Sequence, residues 1–228
     1  MRSQPAARIG SQRPNRWTVP AAADSLGEQA VELAAACGLE LDDWQAWVLN
    51  QALRVDRRGK WSAFEVGLIV PRQNGKNAIV EALELAALVL WPRANSKPMV
   101  VSHSAHKFAT ASEHFLRMQQ LVAANDDVRR LVKTIHTANG KESIRMVDGS
   151  RLKFIARTRG AARGGSDDLL ILDEAYDLPD AALGAMIPAL SARPNPQVWY
   201  TSSAAHHDSS TLHRLRDRAV EADPGRLA

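Results

Sequence analysis

From Phe64 onward, short apolar runs alternate with segments of helical spacing, and no other feature of the chain constrains its fold as strongly. The runs lie at Phe64–Val70, Pro98–Ser102, Leu169–Leu172 and Gln197–Ser202, and the segments between and after them, at about 76–90, 105–123, 180–190 and 209–221, read as helices. Consecutive buried strands joined through helices need crossover connections. The repeat therefore specifies an α/β fold, a mostly parallel sheet with helices on both faces. Three weaker runs, Lys133–Thr137, Ser143–Val147 and Arg151–Ala156, break the alternation, and Asp148-Gly149-Ser150 between the last two reads as a hairpin turn. With 228 residues, 45% of them apolar, the chain can bury a core and is not a disordered polymer.

Ahead of this core, residues 1–20 carry four arginines and Pro5, Pro14 and Pro20, the composition of a flexible basic arm. Residues 21–62 form a helical lead-in. Its first helix begins at Asp24 with Asp24 or Ser25 as cap and ends at Gly38; a second covers Asp42–Leu53, followed by an exposed turn at Arg54–Lys60. The third unit is the core, 63–228. The longest apolar stretch, Ala78–Trp91, is interrupted by Glu81 and Glu84 and falls short of the roughly 18 residues of a membrane helix, and the first 20 residues lack a signal-like apolar segment. Cys37 is the sole cysteine, so a disulfide framework is excluded and a reducing compartment is expected. The net charge is +4, and 22 of the 29 basic residues are Arg. Arginine's planar fork suits phosphate or nucleic acid, although a high-GC genome produces the same bias.

The chemistry concentrates in three places. Val70-Pro71-Arg72-Gln73-Asn74-Gly75-Lys76-Asn77 joins a buried strand to a helix, where backbone N–H groups, a helix N-terminus and a lysine can converge on phosphate. It departs from the usual phosphate-loop pattern, with Val70 in place of the first glycine and Asn77 in place of the hydroxyl, and taken alone Gly75-Lys76 is also an ordinary helix start. Asn77 offers an amide oxygen to Mg²⁺, and Arg72 a second cation. About 100 residues later the strand Leu169–Leu172 ends in Asp173-Glu174, at the carboxyl end where such sheets bind ligands. Asp173 is suited to hold Mg²⁺ and Glu174 to polarise an attacking water; a helix cap would explain one of these acids better than both. Third, Trp199-Tyr200-Thr201-Ser202-Ser203-Ala204 runs out into hydroxyl residues, with Ser202 or Ser203 placed to sense a γ-phosphate.

Together these segments resemble the large terminase subunit of tailed bacteriophages, the ATPase that packages DNA. Pro71–Asn77 looks like that family's deviant Walker A motif, Arg163-Gly164-Gly165-Ser166 leading into Leu170–Ala175 like its Walker B region, and Thr201–Ala204 like its coupling motif. The resemblance covers roughly residues 40–205. It implies a P-loop NTPase of the ASCE/RecA-like class that uses ATP and Mg²⁺, with Lys76 and Glu174 catalytic, Asp173 and Asn77 at the metal, and Pro71, Arg72, Gln73, Asn74 and Gly75 around the phosphates. It further implies Gln45 as reader of the adenine edge, Ser202 and Ser203 at the coupling motif, and Arg163, with Arg159 second, as an arginine finger reaching a neighbouring subunit; a solvated basic loop or a DNA-phosphate contact is the competing account of that stretch. The implied partners are double-stranded DNA, a homo-oligomeric ring on the portal and a small terminase subunit, in the cytoplasm of the infected host. A complete large subunit also carries an RNase H-like nuclease domain, for which the residues after the coupling motif are too few, so an ATPase-domain fragment, or the product of a naturally truncated or split gene, without cleavage activity is expected.

Two alternatives remain. A DEAD-like helicase half shares the upstream Gln, the Gly-Lys loop and the Asp-Glu strand, but Asp173-Glu174-Ala175-Tyr176 and the lack of a second RecA-like half count against it. A nucleotide- or DNA-binding domain without turnover is favoured by Val70 and Asn77 and opposed by Lys76 and Glu174. His103 and His106 flank a strand-to-helix turn, and no spacing sets a His beside Cys or Glu in a metal-ligand pattern, so no zinc site is expected. Cys37 reads as a small core residue, and Asp42-Asp43, Asp126-Asp127 and Asp167-Asp168 as helix caps and turns.

Overall fold

Residues 13–92, 97–106, 108–138, 140–156, 166–205 and 207–221 are described by a computed structural model. The lead-in opens with a two-stranded clasp, β1 (Asp24–Ser25) antiparallel to β2 (Arg54–Val55), enclosing α1 (Gly27–Ala36) and α2 (Asp43–Ala52) in sequence. Asp24 is therefore in a strand and not a helix cap. The Ser25 hydroxyl accepts from the Gly27 amide at 3.1 Å and donates to the Asn50 carbonyl at 2.8 Å, so it fastens the start of α1 to α2. The approach is close enough that a Cβ on Gly27 would lie 2.4 Å from Asn50 Cα. Trp17 and Thr18, expected in an unpacked arm, make contacts: Trp17 meets the Trp47 ring edge-on at 5.8 Å, and Thr18 donates to the Ala219 carbonyl at 2.8 Å.

The core follows as β3 (Glu65–Ile69), α3 (Lys76–Val89), β4 (Val100–Ala105), α4 (Phe108–Ala124), α5 (Asp126–Arg130), β5 (Val132–His136), β6 (Ser143–Met146), β7 (Arg151–Ala156), β8 (Leu169–Asp173), a 3₁₀ turn at Ala175–Asp177, α6 (Asp180–Leu190), β9 (Gln197–Ser202) and α7 (Ser210–Glu221). One seven-stranded sheet has the order β3-β9-β8-β4-β7-β6-β5; the first five strands are mutually parallel and the hairpin strands pair antiparallel. The α/β expectation is met. β4 begins two residues later than the apolar run, because Pro98 has no N–H for the ladder and the Met99 amide is taken by the Ser150 hydroxyl at 2.9 Å.

Strand residues alternate strictly between the two faces. Val101, Leu152, Phe154, Leu169, Ile171 and Trp199 join the core made with α1 to α4, whereas Leu170, Leu172, Val198 and Tyr200 join Met186, Leu190 and Leu212 of α6 and α7 on the opposite face. By that parity Asp173 shares a face with Ile171, directed at α3. The central helix α3 is buried continuously from Ile79 to Val89. Among the described residues, no helix is long and apolar enough to cross a membrane.

Candidate active site

At the end of β3 the Val70 amide still pairs with the Ser202 carbonyl at 3.0 Å, after which the chain turns through 71–75 into α3. Gln73 and Gly75 take left-handed backbone conformations, φ 61° and 74°, and Gly75 caps α3 with no side-chain cap of its own. The first helical amides are thereby left for an anion. Every residue from Pro71 to Asn77, with Glu174, Tyr176 and Ser203, lines a cavity of about 440 Å³.

Lys76 and Asp173, 97 positions apart in sequence, form an ion pair through Nζ and Oδ1, and the same ammonium donates to Asn77 Oδ1 at 3.3 Å. Parallel register sets Thr201 beside Asp173, and its hydroxyl donates to Asp173 Oδ1 at 2.6 Å. Burial alone would raise the Asp173 carboxyl. The Lys76 charge and the two hydrogen bonds overcome it and hold the group at about 2, so Asp173 is anionic at any physiological pH.

Glu174, the first residue beyond β8, has φ 52°, a left-handed conformation that costs a non-glycine residue about 1–2 kcal/mol. The turn after it is gripped from two sides. Ser202 Oγ accepts from the Tyr176 amide at 3.0 Å, and Ser209 donates to the Tyr176 carbonyl at 2.6 Å. Ser202 is fully buried and does not line the cavity, whereas Ser203, the next residue, does. Gln45 is 4% exposed: its Oε1 accepts from the Asp42 amide at 2.7 Å and its Nε2 donates to the Gly75 carbonyl at 2.9 Å, so the residue expected at adenine here links α2 to the phosphate loop without lining the cavity. Arg163 and Arg159 lie outside the described residues.

Sequence reasoning missed Thr201 as an Asp173 partner and Tyr176 as a cavity wall, since both depend on what lies beside a strand end. It also missed a meeting of Glu84, His103 and His114, which come from three different elements. Asp167-Asp168 is more than a turn: Asp167 pairs with Lys153 at 2.9 Å, and Asp168 accepts from the Val100 amide at 2.8 Å.

A second hollow, about 320 Å³, lies on the hairpin and is lined by Lys133, His136, Arg145 and Arg151 among others. Arg145 stands directly opposite Arg151 across β6 and β7, and their neighbours Ile144, Met146, Leu152 and Phe154 face the core. Like charges in that position repel by roughly 0.2–1 kcal/mol. Arg151 pairs in register with Val100, the first residue of β4, so this cationic face is at the opposite end of the parallel strands from Asp173.

The family described as "Terminase large subunit, ATPase domain" matches residues 43–221. Among solved structures, the HK97 bacteriophage large terminase superposes with a TM-score of 0.71 at 21% identity, over 88% of this chain and 42% of that one. The Thermus phage P74-26 large terminase ATPase domain gives 0.56 at 16% identity, covering 77% and 70%. The large terminase of a thermophilic bacteriophage, in complex with ADP, gives 0.56 at 12% identity, covering 77% and 42%. This chain therefore spans less than half the length of the HK97 protein and of the ADP-bound thermophilic-phage protein. A comparison with curated proteins finds no match.

Proposed function

The chain belongs to the terminase large subunit ATPase-domain family, and from that premise we propose that it binds ATP with Mg²⁺ and hydrolyses it to drive double-stranded DNA into a procapsid in the cytoplasm of an infected host. The observation that carries the reading is the ion pair that Lys76, a residue of the cavity wall, makes with the buried Asp173, the neighbour of Glu174 on that same wall. An amine and a carboxylate that neutralise each other here are the two groups that a metal-bound triphosphate would separate, Lys76 to the outer phosphates and Asp173 to the cation.

The donor set fits Mg²⁺: Asp173, ionised above a pH of about 2, and the Asn77 amide are hard oxygen ligands. When bound, the ion offsets charge on the phosphates and orients them. Amides of the loop and of the first turn of α3 receive the β-phosphate, Lys76 reaches the γ-phosphate, and Arg72 adds a cation at the rim. Glu174 accepts a hydrogen bond from the attacking water and orients it in line. Ser203 contacts the γ-phosphate side, while Ser202 carries its loss to the 175–177 turn and, through Ser209, to α7. Gln45 sets the loop from behind by holding the Gly75 carbonyl. Arg163 of a neighbouring subunit completes the site within a homo-oligomeric ring on the portal, which a small terminase subunit supplies with DNA. The cationic hairpin face contacts DNA phosphates. The helicase alternative is not favoured, because the family match runs through all three motifs.

Binding of a fluorescent ATP analogue, followed with and without Mg²⁺ alongside ATP hydrolysis, tests the reading. Glu174→Gln should bind the analogue like the unaltered chain and lose turnover by about 10²-fold or more; Lys76→Ala should lose both. Magnesium-independent binding, or full turnover by Glu174→Gln, would overturn it.

A further inference from the structure

We propose that Glu84, held by His103 and His114, is the anchor that keeps the phosphate-loop helix seated on the sheet while Lys76 exchanges Asp173 for nucleotide. The inference rests on the nucleotide reading of the neighbouring site.

Helix α3 meets the sheet through two polar contacts, the first an ion pair and the second a hydrogen bond to a carboxylate. One is at its first residue, Lys76 to Asp173 on β8; the other comes eight residues, or about 12 Å, further along. There Glu84, fully buried, accepts from His103 Nδ1 of β4 at 2.8 Å and from His114 Nε2 of α4 at 2.7 Å. His103 pairs in register with Ile171, which shares a sheet face with Asp173, so both anchoring side chains rise toward α3 from adjacent strands. The two imidazoles stack at 4.2 Å and 23°, with Phe154 closing the site at 5.6 Å from His103.

The ligand atoms of Glu84, His103 and His114 lie within 4.8 Å of one another, as a metal set would. Rings stacked so nearly parallel cannot both direct their in-plane lone pairs at one ion about 2 Å away. The cluster is instead a hydrogen-bonded charge pair with a neutral third member. Burial and the His114 charge hold His103 down, so it stays neutral and its buried Nε2 is without a partner. Although burial opposes the charge on His114, Glu84 lifts this imidazole above its ordinary range. The other charges directed at the cluster are Asp173 of β8 and, one turn earlier on α3, Glu81, which pairs with Arg117 of α4 at 3.4 Å.

Stability alone does not call for this arrangement, since apolar residues of similar volume commonly replace a buried ion pair without loss. Position does call for it. Nucleotide binding removes Lys76 from Asp173 and with it the ionic tie at the end of α3; Glu84, hydrogen-bonded to His103 of β4 and charge-paired with His114 of α4, then holds this helix between the sheet and α4, fixing the loop amides on the phosphates.

The test uses the 228-residue chain, the fluorescent ATP analogue at saturating Mg²⁺, and two variants. The triple substitution Glu84→Leu, His103→Leu and His114→Phe should fold with a thermal midpoint near the unaltered value yet bind the analogue about tenfold more weakly. Glu84→Gln should also weaken binding. It should further remove a pH dependence expected of the unaltered chain, whose affinity falls as pH rises and His114 gives up its proton. Analogue affinity within twofold of the unaltered chain in both variants overturns the anchor, whatever their midpoints; if the triple variant does not fold, Glu84→Gln decides alone by the same readout. Failure of the unaltered chain to bind the analogue overturns the nucleotide reading and the anchor together, whereas normal binding by the variants overturns the anchor only.

Discussion

Asp173 sits 4% exposed yet ionised, so its charge is sustained by Lys76 and Thr201 and not by water. A carboxyl held at about 2, below its ordinary 3.8, stabilises the fold above pH 3.8, and that contribution is lost as pH falls through about 2. The size of the shift corresponds to about 2 kcal/mol. Asp173→Asn should therefore lower urea-unfolding stability by about that amount at pH 7 and by much less at pH 2; an equal loss at both values would assign the effect to packing. Gly75 is the second residue whose chemistry is set by its surroundings. Its φ of 74° and the 2.8 Å from an added Cβ to Gln45 Nε2 mean that Gly75→Ala strains the backbone and displaces Gln45. The expected outcome is about 1 kcal/mol of lost stability and weakened analogue binding, read by thermal melting and titration; unchanged binding would detach Gln45 from the loop's function. Lys76, Asp173 and Glu174 were legible in the sequence because the two acids end a buried strand and the lysine opens the helix that follows another. Thr201 was not, since its partner is a neighbour across the sheet, and the choice between Ser202 and Ser203 needed the strand's parity, which turns one hydroxyl to each face.

The elements of the core read well from the sequence because buried strands and helices differ in period and length, whereas the order of strands within the sheet does not follow from their order in the chain. The cationic face lies on β5, β6 and β7, where the strands pair in chain order, and it is register that brings the cations together there. Three cations there, Lys133, Arg145 and Arg151, line the hollow, while Lys153 on the same face of β7 is neutralised by Asp167. The alternation of Ile144, Arg145 and Met146, or of Arg151 and Leu152, was visible as a half-buried hairpin; the cross-strand pairing of the two arginines was not, because it depends on register. If this face contacts DNA phosphates, changing all three to Glu should weaken duplex binding measured by fluorescence anisotropy. It should also flatten the dependence of log affinity on log salt by about 0.9 per lost contact. A variant of equal charge change at Arg57, Arg58 and Arg216, none of which lines this hollow, should retain most of the binding and the slope. Equal losses in both variants would mean that net charge, not this face, attracts the duplex.

At the scale of the whole molecule the site described within one chain is cationic and acidic in the right places but has its candidate finger, Arg163, in a stretch known from the sequence alone. A ring with head-to-tail interfaces gives each cavity a neighbour, and an arginine arriving from that neighbour acts only when subunits meet. Turnover per chain should then rise with protein concentration, while analogue binding, which uses residues of one chain, should not. The sharper form of the prediction uses two inactive variants. Arg163→Ala keeps its own cavity and lacks the finger; Lys76→Ala keeps the finger and lacks the cavity. In an equimolar random mixture, about a quarter of the interfaces join an intact cavity to an intact finger, so the mixture should recover about a quarter of the unaltered turnover. Recovery requires the two functions to lie on different chains. If the mixture stays inactive at concentrations where the unaltered chain turns over ATP, Arg163 works within its own subunit or not at all, and the ring ceases to be a condition for chemistry.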